Sequence, residues 1–128
     1  MLPLVFALPI NFMKNASWSD TYECRYDRNT YTILNHVEQA YHSEARAEPY
    51  DLRVHCLFYP SFQFHTWLSN SRYNHYIKKV QEISCAVPPP IDTTVDFYYV
   101  QRKYSDHFPA SYHVVLETTD QESVLLRK

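Results

Sequence analysis

Two histidines, His55 and His65, lie ten residues apart in the stretch "DLRVHCLFYPSFQFHTWL", which also carries Arg53, Trp67 and the central Pro60. Two neutral imidazoles at hairpin distance can hold zinc or copper, or divide acid and base roles near neutral pH. The residue pattern could supply that distance. Tyr50, Leu52, Val54, Cys56 and Phe58 alternate with Asp51, Arg53, His55 and Leu57. Phe62, Phe64, Thr66 and Leu68 likewise alternate with Gln63, His65 and Trp67, which is the period of two strands. A hairpin that pairs Phe58 with Phe62 and Cys56 with Phe64 keeps one face apolar. It sets His55 across from His65 and Arg53 across from Trp67, with opposed Cβ atoms about 5 Å apart. The same face could equally be a plain sheet surface with Arg53 stacked on Trp67 as a cation–π contact. A catalytic zinc needs a third protein ligand, and no residue pattern supplies one. No cofactor or metal is therefore expected. His55 and His65 form the alternative metal pair, and His55, His65 and His113 the alternative catalytic set, of a small hydrolase or ligand-binding cone.

Two further patterns carry chemistry. "FHTWL" at Phe64–Leu68 and "YHVVL" at Tyr112–Leu116 each place a His in an apolar strand-like run. The pair resembles the two-histidine phosphoesterases, whose strand-borne His-x-Thr/Ser motifs converge on one phosphate. Trp67 and Val115 stand where that family has its hydroxyl residues, so half of each motif is gone. Tyr76 and Lys79 resemble the Tyr-x-x-Lys motif of rolling-circle replication nucleases. Those enzymes also need a His-hydrophobic-His metal motif, and the chain contains no such triplet.

Composition excludes more than it includes. There are 128 residues, 12 Tyr and no Gly. Glycine supplies positive φ and close backbone approach to phosphates, so P-loops, Rossmann fingerprints, kinase Gly-rich loops and glycine-flanked nucleophile elbows are all ruled out. A formal net charge of −2 gives no general attraction to nucleic acid, and the close trio Arg72, Lys78 and Lys79 reads as a solvated face. The tyrosines are the positive signal, because Tyr offers contact area at little entropic cost. The leading expectation is a small non-enzymatic module that recognises a protein partner through Tyr-rich loops or a sheet face. The expected contacts are Tyr59, Trp67, Tyr104 and Phe108.

The amino terminus, "MLPLVFALPINFMKNAS", holds an apolar run too short for the 20 or so residues of a transmembrane helix. Residues 1–16 read as a signal-like segment or an N-terminal arm, and residues 17–128 as a single globular domain. Asn15-Ala16-Ser17 is a glycosylation sequon. Cys24, Cys56 and Cys85 are spaced too widely for zinc-ligand pairs. One disulfide with a free thiol would suit secretion, and three thiols would suit the cytosol; secretion is the expectation carried forward.

The elements that would position these residues follow from periodicity. Asn29–Ala47 repeats apolar residues every three or four positions, with Ile33, Leu34, Val37, Ala40 and Tyr41 on one face. Ser71–Val87 favours a second helix over a strand. Val95–Val100 and Tyr112–Glu117 alternate as strands, Arg102–Ala110 reads as a loop, Gln121–Leu126 as a last short strand, and Pro88-Pro89-Pro90 as a rigid connector. The fold class is α+β: one main amphipathic helix on a curved antiparallel sheet of four to five strands, with a second short helix as an option. That element order resembles cystatin-like folds, although the cystatins' inhibitory glycines have no counterpart here.

Overall fold

The structure, a computed structural model, describes residues 22–68, 70–85, 90–119 and 122–128. The α+β class holds. Helix α1 (Tyr22–Ser43) buries Ile33, Leu34 and Val37 completely, with Ala40 nearly so, the stripe that the three- and four-residue spacing requires. His42 in its last turn complements the negative end of the helix dipole. Beyond the end, Arg46 N–H donates to the Tyr41 carbonyl at 3.4 Å and Ala45 N–H to the His42 carbonyl at 3.3 Å. This is a Schellman stop, and it places Ala45 at φ 47°, where glycine is the usual residue. A Cβ at a left-handed position costs about 1 kcal/mol. Ala45→Gly is therefore expected to raise stability by up to about 1 kcal/mol, read as a higher urea midpoint at unchanged slope.

Strand β1 (Tyr50–His55) leads into α2 (Tyr59–Leu68), the four-residue α3 (Asn70–Tyr73) and β2 (Ile77–Ile83). Then come β3 (Phe97–Gln101), the 3-10 turn η1 (Arg102–His107), β4 (His113–Glu117) and β5 (Ser123–Arg127). The sheet order is β2-β1-β3-β5-β4. β1 runs parallel to both β2 and β3, while β5 pairs antiparallel with β3 and β4. The sheet is thus mixed, and the antiparallel meander of cystatin-like topology is not formed.

Two segments depart from their sequence patterns for physical reasons. The hairpin expected after β1 does not exist, because its second half is helical. Pro60 falls in the first turn, where its missing N–H costs nothing, and Phe58, Phe62 and His65 form one buried stripe. Parallel strands need a long crossover, and α2 supplies it between β1 and β2. The second helix expected over Ser71–Val87 is instead mostly β2. A register shift lets Tyr50 pair with Ile77 but Leu52 with Val80, so Ile77 and Val80 share one buried face three residues apart, and Ile83, buried on the opposite face, completes the imitation of helical spacing.

Both faces of the sheet are covered. Phe58 and Phe62 join α1, Tyr50, Leu52, Val54, Phe97, Tyr99 and Leu125 on one side. Ile83, Val95, Tyr98, Val100, Tyr104, Tyr112, Val124 and Leu126 pack on the other. That double cover explains why β3 and β5 are nearly continuous apolar runs. The amino-terminal segment 1–16 and most of the proline connector lie outside the described residues.

Candidate functional site

The helical register of α2 turns two large aromatics outward. Trp67 is 72% exposed and Phe64 53%, and Leu57, just before the helix, is also exposed. Beneath Trp67 runs a groove of about 230 Å³ between α2 and β2, lined by Tyr59, Gln63, Thr66, Tyr73, Ile77 and Val80, with Asn74 and Lys78 at its margin. Thr66 Oγ1 donates back to the Phe62 carbonyl at 2.7 Å, so its hydroxyl proton is used within the helix. Lys78 Nζ lies 4.0 Å from an Asp51 carboxylate oxygen. On the far side of α2, the His65 ring lies 4.3 Å from that of Tyr31 on α1, and the Thr30 and Ser61 hydroxyls are 2.7 Å apart. Burial raises the Tyr73 phenol. These contacts hold α2 from behind while its front remains open.

The three histidines of the alternative catalytic set do not share a site. His55 ends β1 on the opposite face of the sheet, its ring 5.5 Å from that of Tyr104. Burial, helped by the nearby Lys103 charge, holds its pKa below the ordinary histidine value. His65 is buried between α2 and Tyr31. His113 is exposed on β4, at the far edge of the sheet. His55 and His65 oppose one another only if the hairpin forms, and α2 removes it. The stacking of Arg53 on Trp67 fails with the same hairpin, since Arg53 Nη2 reaches Asp92 at 3.2 Å instead. Among the described residues no cluster of three or more His, Cys, Asp or Glu is arranged to hold a metal ion.

Of the expected contact residues, Tyr59 and Trp67 line the α2 groove, while Tyr104 and Phe108 belong to the core. Tyr104 is buried, and the Phe108 ring packs at 4.9 Å from Tyr98 and 5.7 Å from Tyr112. The η1 turn packs both against the sheet. Much of the tyrosine surplus has a structural use there. The Tyr98 hydroxyl accepts from Asp92 N–H at 2.7 Å, and the Tyr112 hydroxyl donates to the Val95 carbonyl at 2.6 Å. Together they tie the segment before β3 to the sheet, and burial pushes the Tyr112 phenol up to about 12. The Tyr50 hydroxyl donates to Glu44 at 2.5 Å, and the Arg46 and Arg127 guanidinium carbons lie 4.2 and 5.6 Å from the centre of its ring.

Of the basic trio, Arg72 is held by Glu38 at 2.8 Å and by Asn35. Cys56 and Cys85 form a disulfide. Among the described residues no helix is long and apolar enough to cross a membrane. What the residue pattern missed was Phe64 as a surface residue and the β2 wall of the groove. The missed signal was Phe58, Phe62 and His65 at helical spacing beside a first-turn proline. In comparison with known proteins, no family model, curated protein or solved structure matches the chain.

Proposed function

We propose that this is a non-enzymatic binding module that recognises a protein partner through the outer face of α2. The partner segment supplies one apolar side chain to the groove beneath Trp67. The observation that carries this reading is the exposure of Trp67 and Phe64 beside a groove walled by Tyr59, Tyr73, Ile77 and Val80. Trp and Tyr flanking an apolar slot are the residues that dominate interface energetics. The groove is smaller than the roughly 300–1,000 Å³ of small-molecule sites, which favours a side-chain anchor over a cofactor-sized ligand. Two uncharged amides, Gln63 and Asn74, and Lys78 at the margin suit the polar rim of such a contact. The disulfide supports an oxidising compartment, and so a secreted module; the sequon at Asn15 is then open to glycosylation.

A peptide-display library panned on the whole chain tests the reading directly. The enriched peptides are expected to share one apolar anchor, and a synthetic copy should bind Trp67→Ala at least tenfold more weakly than the parent chain. Phe64→Ala should weaken it by a smaller factor, and Tyr104 should be untouched in chemical-shift maps. Enriched peptides that bind Trp67→Ala as well as they bind the parent would overturn the proposal, and so would a library that yields no shared anchor.

A further inference from the structure

The two sulfurs of the Cys56–Cys85 bridge stand in unlike surroundings. Cys85, just beyond β2, is exposed, whereas Cys56, just after β1, is half-buried. Cys56 Sγ lies 3.8 Å from His55 Nδ1 and 4.0 Å from His55 Nε2. The ring is buried and packs 6.3 Å from that of Phe58 and 5.5 Å from that of Tyr104. Lys103 Nζ lies 5.0 Å from the centre of the same Tyr104 ring. Burial first, and the Lys103 charge second, hold His55 below the ordinary histidine pKa, so the imidazole is uncharged at neutral pH. Its Nδ1 accepts from Leu57 N–H at 3.4 Å, which leaves the proton on Nε2. One sulfur thus faces solvent, and the other has an N–H donor and a cation close by.

We propose that the bridge is a thiol-exchange site, at which the thiolate of an external dithiol attacks Cys85 and Cys56 is the leaving group beside His55. Exchange is governed by access to the attacked sulfur and by the stability of the departing thiolate, and the two surroundings divide these roles. The attack forms a bond between the external sulfur and Cys85 Sγ. It breaks the Cys56–Cys85 bond, whose electron pair leaves on Cys56. That thiolate turns about χ1 to accept the His55 N–H, a charge-assisted hydrogen bond, and the Lys103 charge favours it further. The second thiol of the dithiol then attacks the first external sulfur and frees Cys85. The dithiol ends as a disulfide and the bridge as two thiols, with the dithiol's two protons on the two cysteines. Because the bridge closes the crossover that carries α2, exchange would loosen the groove. That consequence rests on the binding reading above, whereas the exchange itself does not.

Peptide mapping of the whole bridged chain tests it without reference to the groove. The chain is treated with glutathione at low conversion, a monothiol that reports the first step, then quenched with excess N-ethylmaleimide and cut with trypsin. Arg72, Lys78 and Lys79 lie between the two cysteines, so their sulfurs fall on separate peptides. Mass spectrometry is expected to find glutathione on Cys85 and maleimide on Cys56. His55→Phe keeps a ring against Phe58 and Tyr104 but removes the N–H, and should slow the exchange about fivefold. His55→Gln, which restores an N–H, should recover most of that rate. Lost stability alone would act the other way, since a loosened fold opens the bridge to the thiol. Glutathione found mainly on Cys56 overturns the proposal, and so does a His55→Phe variant that exchanges as fast as the parent or faster. A bridge that opens only in denaturant overturns it as well.

Discussion

Truncating Phe62 to Ala is expected to cost about 4 kcal/mol of unfolding free energy, while the same change at Phe64 costs no more than about 0.5 kcal/mol. The two residues are near neighbours of the same type in one aromatic-rich stretch. Only the helical register separates them. Phe62 is fully buried, with its ring 5.3 Å from Tyr99 on β3 and Phe58 beside it at 4.8 Å from the same ring. Its removal leaves a cavity in a core closed by α1, α2 and the sheet, none of which can collapse far without breaking backbone pairing. Phe64 is more than half exposed, so its truncation removes little buried area. In the hairpin that the alternation suggests, both rings would lie on one apolar face and both changes would be costly. Urea denaturation of the two variants therefore reads the conformation of residues 59–68 directly. Equal large losses would mean that the segment is a strand.

Loss of the Cys56–Cys85 bridge is the second large effect. The bridge joins the residue just after β1 to one just beyond β2, with Cα atoms 5.5 Å apart and 29 residues of sequence separation. His55 and Ile83 are already parallel neighbours at this end of the sheet. The bridge therefore spans the whole crossover, including α2 and both walls of its groove. Loop-closure entropy for a separation of this length gives about 3.5 kcal/mol. The double variant Cys56→Ser, Cys85→Ser should be less stable by about that amount at unchanged fold, and reduction of the parent chain should reproduce the loss. A difference under about 1 kcal/mol would mean that the denatured chain holds these strands together without the bridge. Because α2 hangs between the bridged ends, amides of Tyr59–Leu68 should lose exchange protection with the bridge.

Sequence alone was sufficient for several features, each governed by local physics. The long amphipathic helix was legible because Ile33, Leu34, Val37 and Ala40 repeat on one face, and only a helix buries such a stripe. The strands near Phe97, His113 and Ser123 were legible from alternation and chain order. The absence of glycine excluded phosphate-cradling loops outright, since no other residue approaches a phosphate in that way. Tertiary structure decided the rest. Whether "YPSFQFHTWL" is a strand or a helix depends on which of its aromatics has a partner in the core, because a segment with large rings on every side satisfies both periods. Tyr99 settles that choice in favour of Phe58 and Phe62, and it turns Phe64 and Trp67 to the surface. The parallel pairing of β1 with β2 and β3 follows from a crossover whose helix local spacing did not reveal. The histidines were placed together by an assumed hairpin and taken apart by that same helix. Register, strand direction and the exposure of a ring are properties of contacts between segments far apart in the chain, and local residue order carries no term for them.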